Sequence, residues 1–303
     1  MARCRRCGAK AVITMDGESL CASHFKERFL RKIESTIKKY GLVRTNEKIG
    51  VAVSGGKDSS ALLHSLNMIL DETPVAIFLD LGIEGYSDTC LRNVRELCAR
   101  IGAELKVFQV REMYGFTVSE AVARLRRHRT PCSICGMIKR RALNDAALEL
   151  GVDKLATGHT LDDEVTFLLV NYASGDLDLL ARSGPFSPSK YGKLVARIKP
   201  LYETTERETE AYCKVNNIPY TKAKCPYSAT APTIRLKKAV AQLDEARPGF
   251  RASLLRSFNK SIKPVIRSYW AEREKTLFCR KCGYPTTKEI CGFCRLRAIV
   301  TRI

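Results

Sequence analysis

The run Ser54-Gly55-Gly56-Lys57-Asp58-Ser59 leaves few folds open to this chain. It is entered from the apolar stretch Ile49-Gly50-Val51-Ala52-Val53 and left through Ala61-Leu62-Leu63-His64-Ser65-Leu66. A buried strand ending in two glycines lets the backbone turn sharply, so the amides of the turn and of the next helix's first turn can point at an anion. Lys57 adds a positive charge there. Asp58 suits a magnesium ion or the first turn of the helix, and the Ser54 and Ser59 hydroxyls can bond phosphate. The pattern differs from a Walker A loop: the four residues between the glycines are missing, and Lys57 is followed by Asp rather than Ser or Thr. An ordinary strand-to-helix turn would require only the glycines.

Around this loop, strand-like and helix-like segments alternate. Apolar runs at 49–53, 75–81, 105–110 and 154–157 read as strands; 59–70, 89–100, 135–150 and 162–172 read as helices. This is the pattern of an α/β fold with a doubly wound parallel sheet. Ligands in such folds sit beyond the carboxyl ends of the strands, so the Ser54 loop, Asp80 to Gly82 and Gly158 to Asp163 should converge on one crevice.

Lys plus Arg exceed Asp plus Glu by 52 to 32, a formal net charge of +20, which favours a polyanionic partner. No apolar run reaches the roughly 18 residues of a membrane span, and the first residues lack the apolar stretch of a signal peptide. The expected location is the cytoplasm, with nucleic acid rather than a membrane as the partner.

Thirteen cysteines in such a chain argue for metal sites or thiol chemistry rather than a disulfide framework. Cys4-x2-Cys7 is followed after thirteen residues by Cys21-x2-His24, and Cys279-x2-Cys282 after eight residues by Cys291-x2-Cys294. Each set supplies four ligands from two knuckles, as a closed tetrahedral Zn2+ site requires; with no open coordination position, neither is expected to be catalytic. These spacings divide the chain into an N-terminal finger (1–27), a helical connector (28–47), a catalytic domain (48–245), a second connector (246–274) and a C-terminal finger (275–303).

Cys90, Cys98 and Cys213 lie in helical patterns and read as small core residues. Cys132 and Cys135, in Pro131-Cys132-Ser133-Ile134-Cys135-Gly136, fall where a helix begins, and Cys225 lies in Lys224-Cys225-Pro226-Tyr227. The helix dipole with Arg129, Lys139 and Arg140 should lower the pKa of Cys132 and Cys135. By themselves these residues fit a redox pair, part of a third zinc site or part of an iron-sulfur site.

Taken in order, the CxxC/CxxH and CxxC/CxxC fingers, SGGKDS, PCSICGxxKR, TGHxLDDE, KPLYExTERE and KCPY resemble the tRNA 2-thiouridine synthetase family of PP-loop ATPases, the archaeal and eukaryotic cytosolic tRNA thiolation group with its bacterial relatives. The resemblance covers essentially the whole chain. It implies an ATP-dependent tRNA sulfurtransferase that adenylates a uridine's C2 oxygen and replaces it with sulfur, giving 2-thiouridine. It also implies that Cys132, Cys135 and Cys225 hold a 4Fe-4S cluster with one free iron for sulfide. Lys139 and Asp163 match the family's catalytic lysine and aspartate. Ala52, Val53, Ser54, Gly55, Gly56, Lys57, Asp58, Ser59, Asp80 and Gly158 match its pocket for ATP with Mg2+, where Asp58 is counted as catalytic as well. A homodimer is implied too. Phe78 and Asp80 stand where relatives have the His and the Asn or Asp of a His-x-Asn-Leu-Gly run, and Lys224 replaces a common Glu.

Arg126, Arg127, Arg129, Arg140 and Arg141 are candidate phosphate contacts on tRNA. Neither His64 nor His159 is assigned a catalytic role. A nitrogen-attaching ligase with the same loop leaves the three central cysteines unused, and a vestigial zinc-finger RNA-binding protein leaves Lys57, Asp58, Lys139 and Asp163 unused. A 2-thiocytidine synthetase, or a thiolase with a persulfide or disulfide cysteine pair and no cluster, is the alternative. The sequence leaves open the target uridine, wobble or T-loop, and the sulfur donor: sulfide, a persulfide or a ubiquitin-like thiocarboxylate carrier.

Overall fold

The computed structural model describes residues 2–15, 17–228, 232–271 and 276–301. The N-terminal hairpin pairs β1 (Ile13–Met15) with β2 (Glu18–Leu20) and runs into α1 (Ala22–Tyr40). There follow β3 (Ile49–Val53), α2 (Lys57–Ile69), β4 (Val75–Asp80), α3 (Tyr86–Ile101), β5 (Leu105–Gln109), α4 (Val110–Tyr114), α5 (Val118–Leu125), α6 (Pro131–Glu149), β6 (Lys154–Ala156) and α7 (Leu161–Ala173). The chain continues through α8 (Leu177–Arg182), β7 (Phe186–Ser187), β8 (Ala196–Ile198), α9 (Glu206–Val215), α10 (Pro232–Ala246), α11 (Phe250–Ser257), a π-helical turn (Phe258–Ile262) and α12 (Lys263–Ala271). It ends in β9 (Leu277–Phe278), β10 (Pro285–Thr286) and α13 (Gly292–Val300).

The central sheet has the order β5-β4-β3-β6-β8-β7, parallel except for the edge strand β7. β3 and β4 are almost wholly buried because helices cover both faces, which is why their sequences are continuous apolar runs. Val51, Val53, Ala76 and Phe78 pack on one face with α1, α2, α3 and α9; Ile77 and Leu155 pack on the other with Ala146 and Ala147 of α6. Strand order reverses between β3 and β6, so the loops after these strands flank the crevice where such sheets bind ligands. The four expected strands and four expected helices are all present. α6, however, starts at Pro131, where Thr130 caps it and Pro occupies the first helical position. The short strands β7 and β8 carry too little pattern to be read from sequence.

Both ends of the chain share cores with the sheet domain. Leu20, Phe25, Phe29 and Ile33 join the core beneath α2 and α9, with Phe29 stacked on Tyr212 at 4.0 Å. At the other end Phe293, Leu296 and Val300 join Val118, Val122, Ile134 and Ile138 of α5 and α6. The junction expected at 274/275 lies outside the described residues. Among the described residues no helix is long and apolar enough to cross a membrane.

Candidate active site

The loop after β3 is held by its own serines. The Ser54 amide donates to Ser59 Oγ at 3.0 Å, the two hydroxyls lie 3.1 Å apart, and Ser59 Oγ donates to the Gly56 carbonyl at 3.1 Å. Gly55 has φ +76, and a Cβ there would stand 2.8 Å from the Cys90 backbone. A Cβ on Gly158, in the loop after β6, would meet the Ser59 amide at 2.9 Å. The two loops therefore fit only as glycine at these positions, and Gly56, which has no side chain, stands at the start of α2 and leaves it without a side-chain cap. Uncapped amides at that end are an open anion site, which suits the phosphates of ATP.

A chain of ion pairs closes over this site. Lys57 Nζ lies 2.9 Å from both oxygens of Asp58 and 3.4 Å from Glu206 Oε2. Thr209 Oγ1 donates to Asp58 Oδ1 at 2.5 Å. Lys237 of α10 pairs with Asp163 Oδ1 at 2.5 Å and also with Glu206. The second Asp163 oxygen takes the Thr160 amide at 2.9 Å in a capping box that starts α7. Arg251 joins Asp162 to Asp244. Burial pushes the Asp58 carboxyl above its ordinary pKa against the pull of Lys57. Asp163 goes the other way: Lys237 and the Thr160 amide outweigh its burial and hold it below. Asp80 stands apart from this chain, at the end of β4, where its Oδ1 accepts from the Gly82 amide at 2.9 Å.

Cys132 and Cys225 come together across the crevice. The Cys132 thiol donates to the Tyr227 carbonyl at 3.4 Å, and Cys225 and Lys139 both act electrostatically on Cys132 and Cys135. The expected lowering of these thiols is corrected: burial and the neighbouring thiol of Cys225 push Cys132 and Cys135 up, and Lys139 offsets this only in part. Among the described residues Lys139 makes no hydrogen bond or ion pair, and its charge acts on the Cys132 and Cys135 thiols and on Cys90. The three sulfurs do not close to within 4.8 Å of one another, as both finger sets do. Three thiols are the donor type that iron-sulfur clusters take. The arm carrying Cys225 is tied to the nucleotide loop, because the Thr221 amide donates to the Gly55 carbonyl at 2.8 Å.

Each finger set gathers its four ligand atoms within 4.8 Å, as one tetrahedral ion needs. Cys4 Sγ and Cys21 Sγ each lie 3.4 Å from His24 Nδ1, and the Cys291 amide donates to Cys279 Sγ at 3.3 Å. Although burial works against it, amides including those of Cys21 and Arg6 draw the Cys4 thiol down to about 5. Arg126, Arg127 and Arg129 are exposed on the segment before α6, beside Cys132. Arg141 has a structural occupation: it bonds Asp145 at 2.7 Å and Cys282 Sγ at 3.4 Å, and its guanidinium lies 4.0 Å from the Tyr284 ring centre. Arg140 lends its carbonyl to Arg197. Glu206, Thr209, Lys237 and Arg251 were not singled out from the sequence as site residues; Glu206 alone had a signal, lying within the KPLYExTERE motif. His159 bonds Thr157 at 2.9 Å and His64 bonds Tyr212 at 3.0 Å, which gives both histidines structural partners.

Comparison with known proteins agrees with this geometry. A family model described as a PP-loop domain matches residues 25–240. The tRNA-5-methyluridine(54) 2-sulfurtransferase of Pyrococcus horikoshii is 38% identical over 97% of this chain and 93% of its own length. Cytoplasmic tRNA 2-thiolation protein 1 of Caenorhabditis elegans is 31% identical over 95% of this chain and 77% of its own. The U34-tRNA thiolase NcsA from Methanococcus maripaludis, solved with its [4Fe-4S] cluster, superposes with a TM-score of 0.80 at 30% identity, covering 97% of this chain and 96% of that one. The chain belongs to the PP-loop family of tRNA 2-thiolation sulfurtransferases.

Proposed function

We propose that the protein is an ATP-dependent tRNA uridine 2-sulfurtransferase that turns a uridine into 2-thiouridine. The observation that carries this reading is the Thr221–Gly55 hydrogen bond, which sets the arm bearing Cys225 against the phosphate loop. Uridine's C2 oxygen is a poor leaving group, and adenylation by ATP makes its displacement by sulfur feasible. Residues 52–59 with Gly158 and Asp80 hold the nucleotide, and Lys57 offsets the charge of the departing pyrophosphate. Asp58 and Asp163 are the carboxylates suited to Mg2+. A 4Fe-4S cluster on Cys132, Cys135 and Cys225 would supply an iron without a protein ligand, where sulfide is held. Lys139 favours the deprotonated thiols that such ligation requires. Zn2+ fills both finger sets, the fingers spanning 1–27 and 275–303 on either side of a catalytic domain at 48–245.

The partner is tRNA, gripped by Arg126, Arg127, Arg129 and Arg140, and the target is uridine 54 in the T-loop. Supporting that position, the relative named for 5-methyluridine 54 shares 38% identity, against 30% for the U34 thiolase. The sulfur donor is sulfide or a ubiquitin-like thiocarboxylate carrier, and the working form is a cytoplasmic homodimer. The test is anaerobic incubation with ATP, sulfide and a tRNA that carries 5-methyluridine at position 54 but no thionucleoside, followed by nucleoside mass spectrometry of mapped fragments. ATP-dependent thiolation at position 54 with pyrophosphate release is expected. Thiolation at position 34 would overturn the choice of site, and no thionucleoside from ATP-binding protein would overturn the reaction.

A further inference from the structure

Lys237 is a cation in this crevice that no motif accounts for. It comes from α10, far in sequence from the phosphate loop, yet its ammonium pairs with Asp163 and Glu206, and Glu206 also faces Lys57. Three carboxylates, Asp58, Asp163 and Glu206, thus surround two lysines, and the three come from three different helices. Nucleoside triphosphate carries about four negative charges at neutral pH and arrives with a divalent cation. Its phosphates cannot settle beside these carboxylates unless the lysine charges turn toward them. Lys57 is positioned for this by the loop itself. Lys237 is the second ammonium within reach of the same network, three-quarters shielded from solvent and anchored on both sides.

We propose that Lys237 is a second phosphate-binding lysine, parked on Asp163 and Glu206 until nucleoside triphosphate arrives. The ion pairs exchange in a charge-balanced way: Lys237 passes from carboxylate to pyrophosphate oxygen, and the carboxylates it leaves pass to the divalent cation. Asp163 is therefore locked while the site lacks triphosphate and freed by the substrate that needs it. No covalent bond is made or broken in this exchange. The inference rests on the nucleotide site proposed above, not on the identity of the sulfur acceptor.

The discriminating experiment is calorimetric binding of ATP, AMP and inorganic pyrophosphate, each with Mg2+, to wild type and to the variants Lys237→Gln and Lys237→Arg. A phosphate-directed ammonium predicts about ten- to hundredfold weaker ATP and pyrophosphate binding in Lys237→Gln, AMP binding within about twofold of wild type, and partial recovery in Lys237→Arg. Equal losses for ATP and AMP would make Lys237 merely structural, and unchanged ATP binding would remove it from the site; either overturns the proposal. Wild type that binds ATP but thiolates no tRNA would instead defeat the functional reading and leave this one standing.

Discussion

The amide of Thr221 donates a 2.8 Å hydrogen bond to the carbonyl of Gly55. Gly55 turns the phosphate loop, and Thr221 lies four positions before Cys225. One backbone bond therefore fixes the spacing between the place where a phosphate would sit and the thiols that face Lys139. In the proposed reaction the C2 oxygen of the uridine is adenylated and sulfur then attacks C2 itself, so both steps fall on one carbonyl and this spacing is what the fold would supply.

Gly55→Ala tests that spacing from the loop side. At φ +76 an alanine is strained, and its Cβ would collide with the Cys90 backbone. The expected result is a loss of about 1–3 kcal/mol in chemical denaturation and at least about tenfold weaker ATP binding by calorimetry. Normal ATP affinity would show that the loop tolerates the displacement.

The buried pair beside the site should behave asymmetrically. Glu164 is 5% exposed and lies 2.8 Å from Lys199. Removing the carboxylate in Glu164→Ala leaves Lys199 unpaired and should cost about 3 kcal/mol, whereas the double change Glu164→Leu with Lys199→Met should recover most of that. Urea melts of the three proteins measure it; a double variant no more stable than Glu164→Ala would contradict the pairing.

His159 sets an acid limit. Burial, reinforced by Lys199, holds its pKa down at about 4 against an ordinary 6.5, while Asp163 pulls the other way. Between those values the unfolded chain binds a proton that the folded one does not. The stability carried by neutral His159 is thus complete above about pH 6.5 and is lost as pH falls toward 4, by about 3 kcal/mol. His159→Gln should flatten the stability profile over this window relative to wild type. Parallel profiles would place the histidine in contact with solvent.

The C-terminal finger should report on the helix that bears Cys132 and Cys135. Arg141 joins Cys282 to α6, and a Cβ on Gly292 would come within 3.3 Å of Met137. Cys282→Ser should therefore lower zinc by one equivalent, reduce the melting temperature and also reduce iron retention, all measurable by elemental analysis and calorimetry on one preparation. Full iron content with one zinc missing would show the finger to be uncoupled.

Much of this arrangement is legible in the chain. Ile49–Val53 and Val75–Asp80 are apolar throughout because both faces of their strands are covered, and the finger ligands announce themselves by spacing. Thr209, Lys237 and Arg251 reach the crevice from segments distant in sequence, and no local pattern distinguishes them from a solvated surface, whereas Glu206 lies within a motif. Arg141 reads as one more arginine on a basic helix until Asp145, Cys282 and Tyr284 are seen around it. The thiol pKa shifts run opposite to the sequence-based expectation for a related reason. The helix start and the cations are visible in sequence, but the burial and the crowding by Cys225 that outweigh them are not.

The most direct test of the central claim is anaerobic purification with iron, sulfide and zinc analysis, repeated on Cys132→Ala, Cys135→Ala and Cys225→Ala with tRNA thiolation measured alongside. The account predicts about four irons and two zincs per chain, with iron and thiolation lost together in each variant while both zincs remain. Two zincs and no iron in wild-type protein that still thiolates tRNA would contradict it.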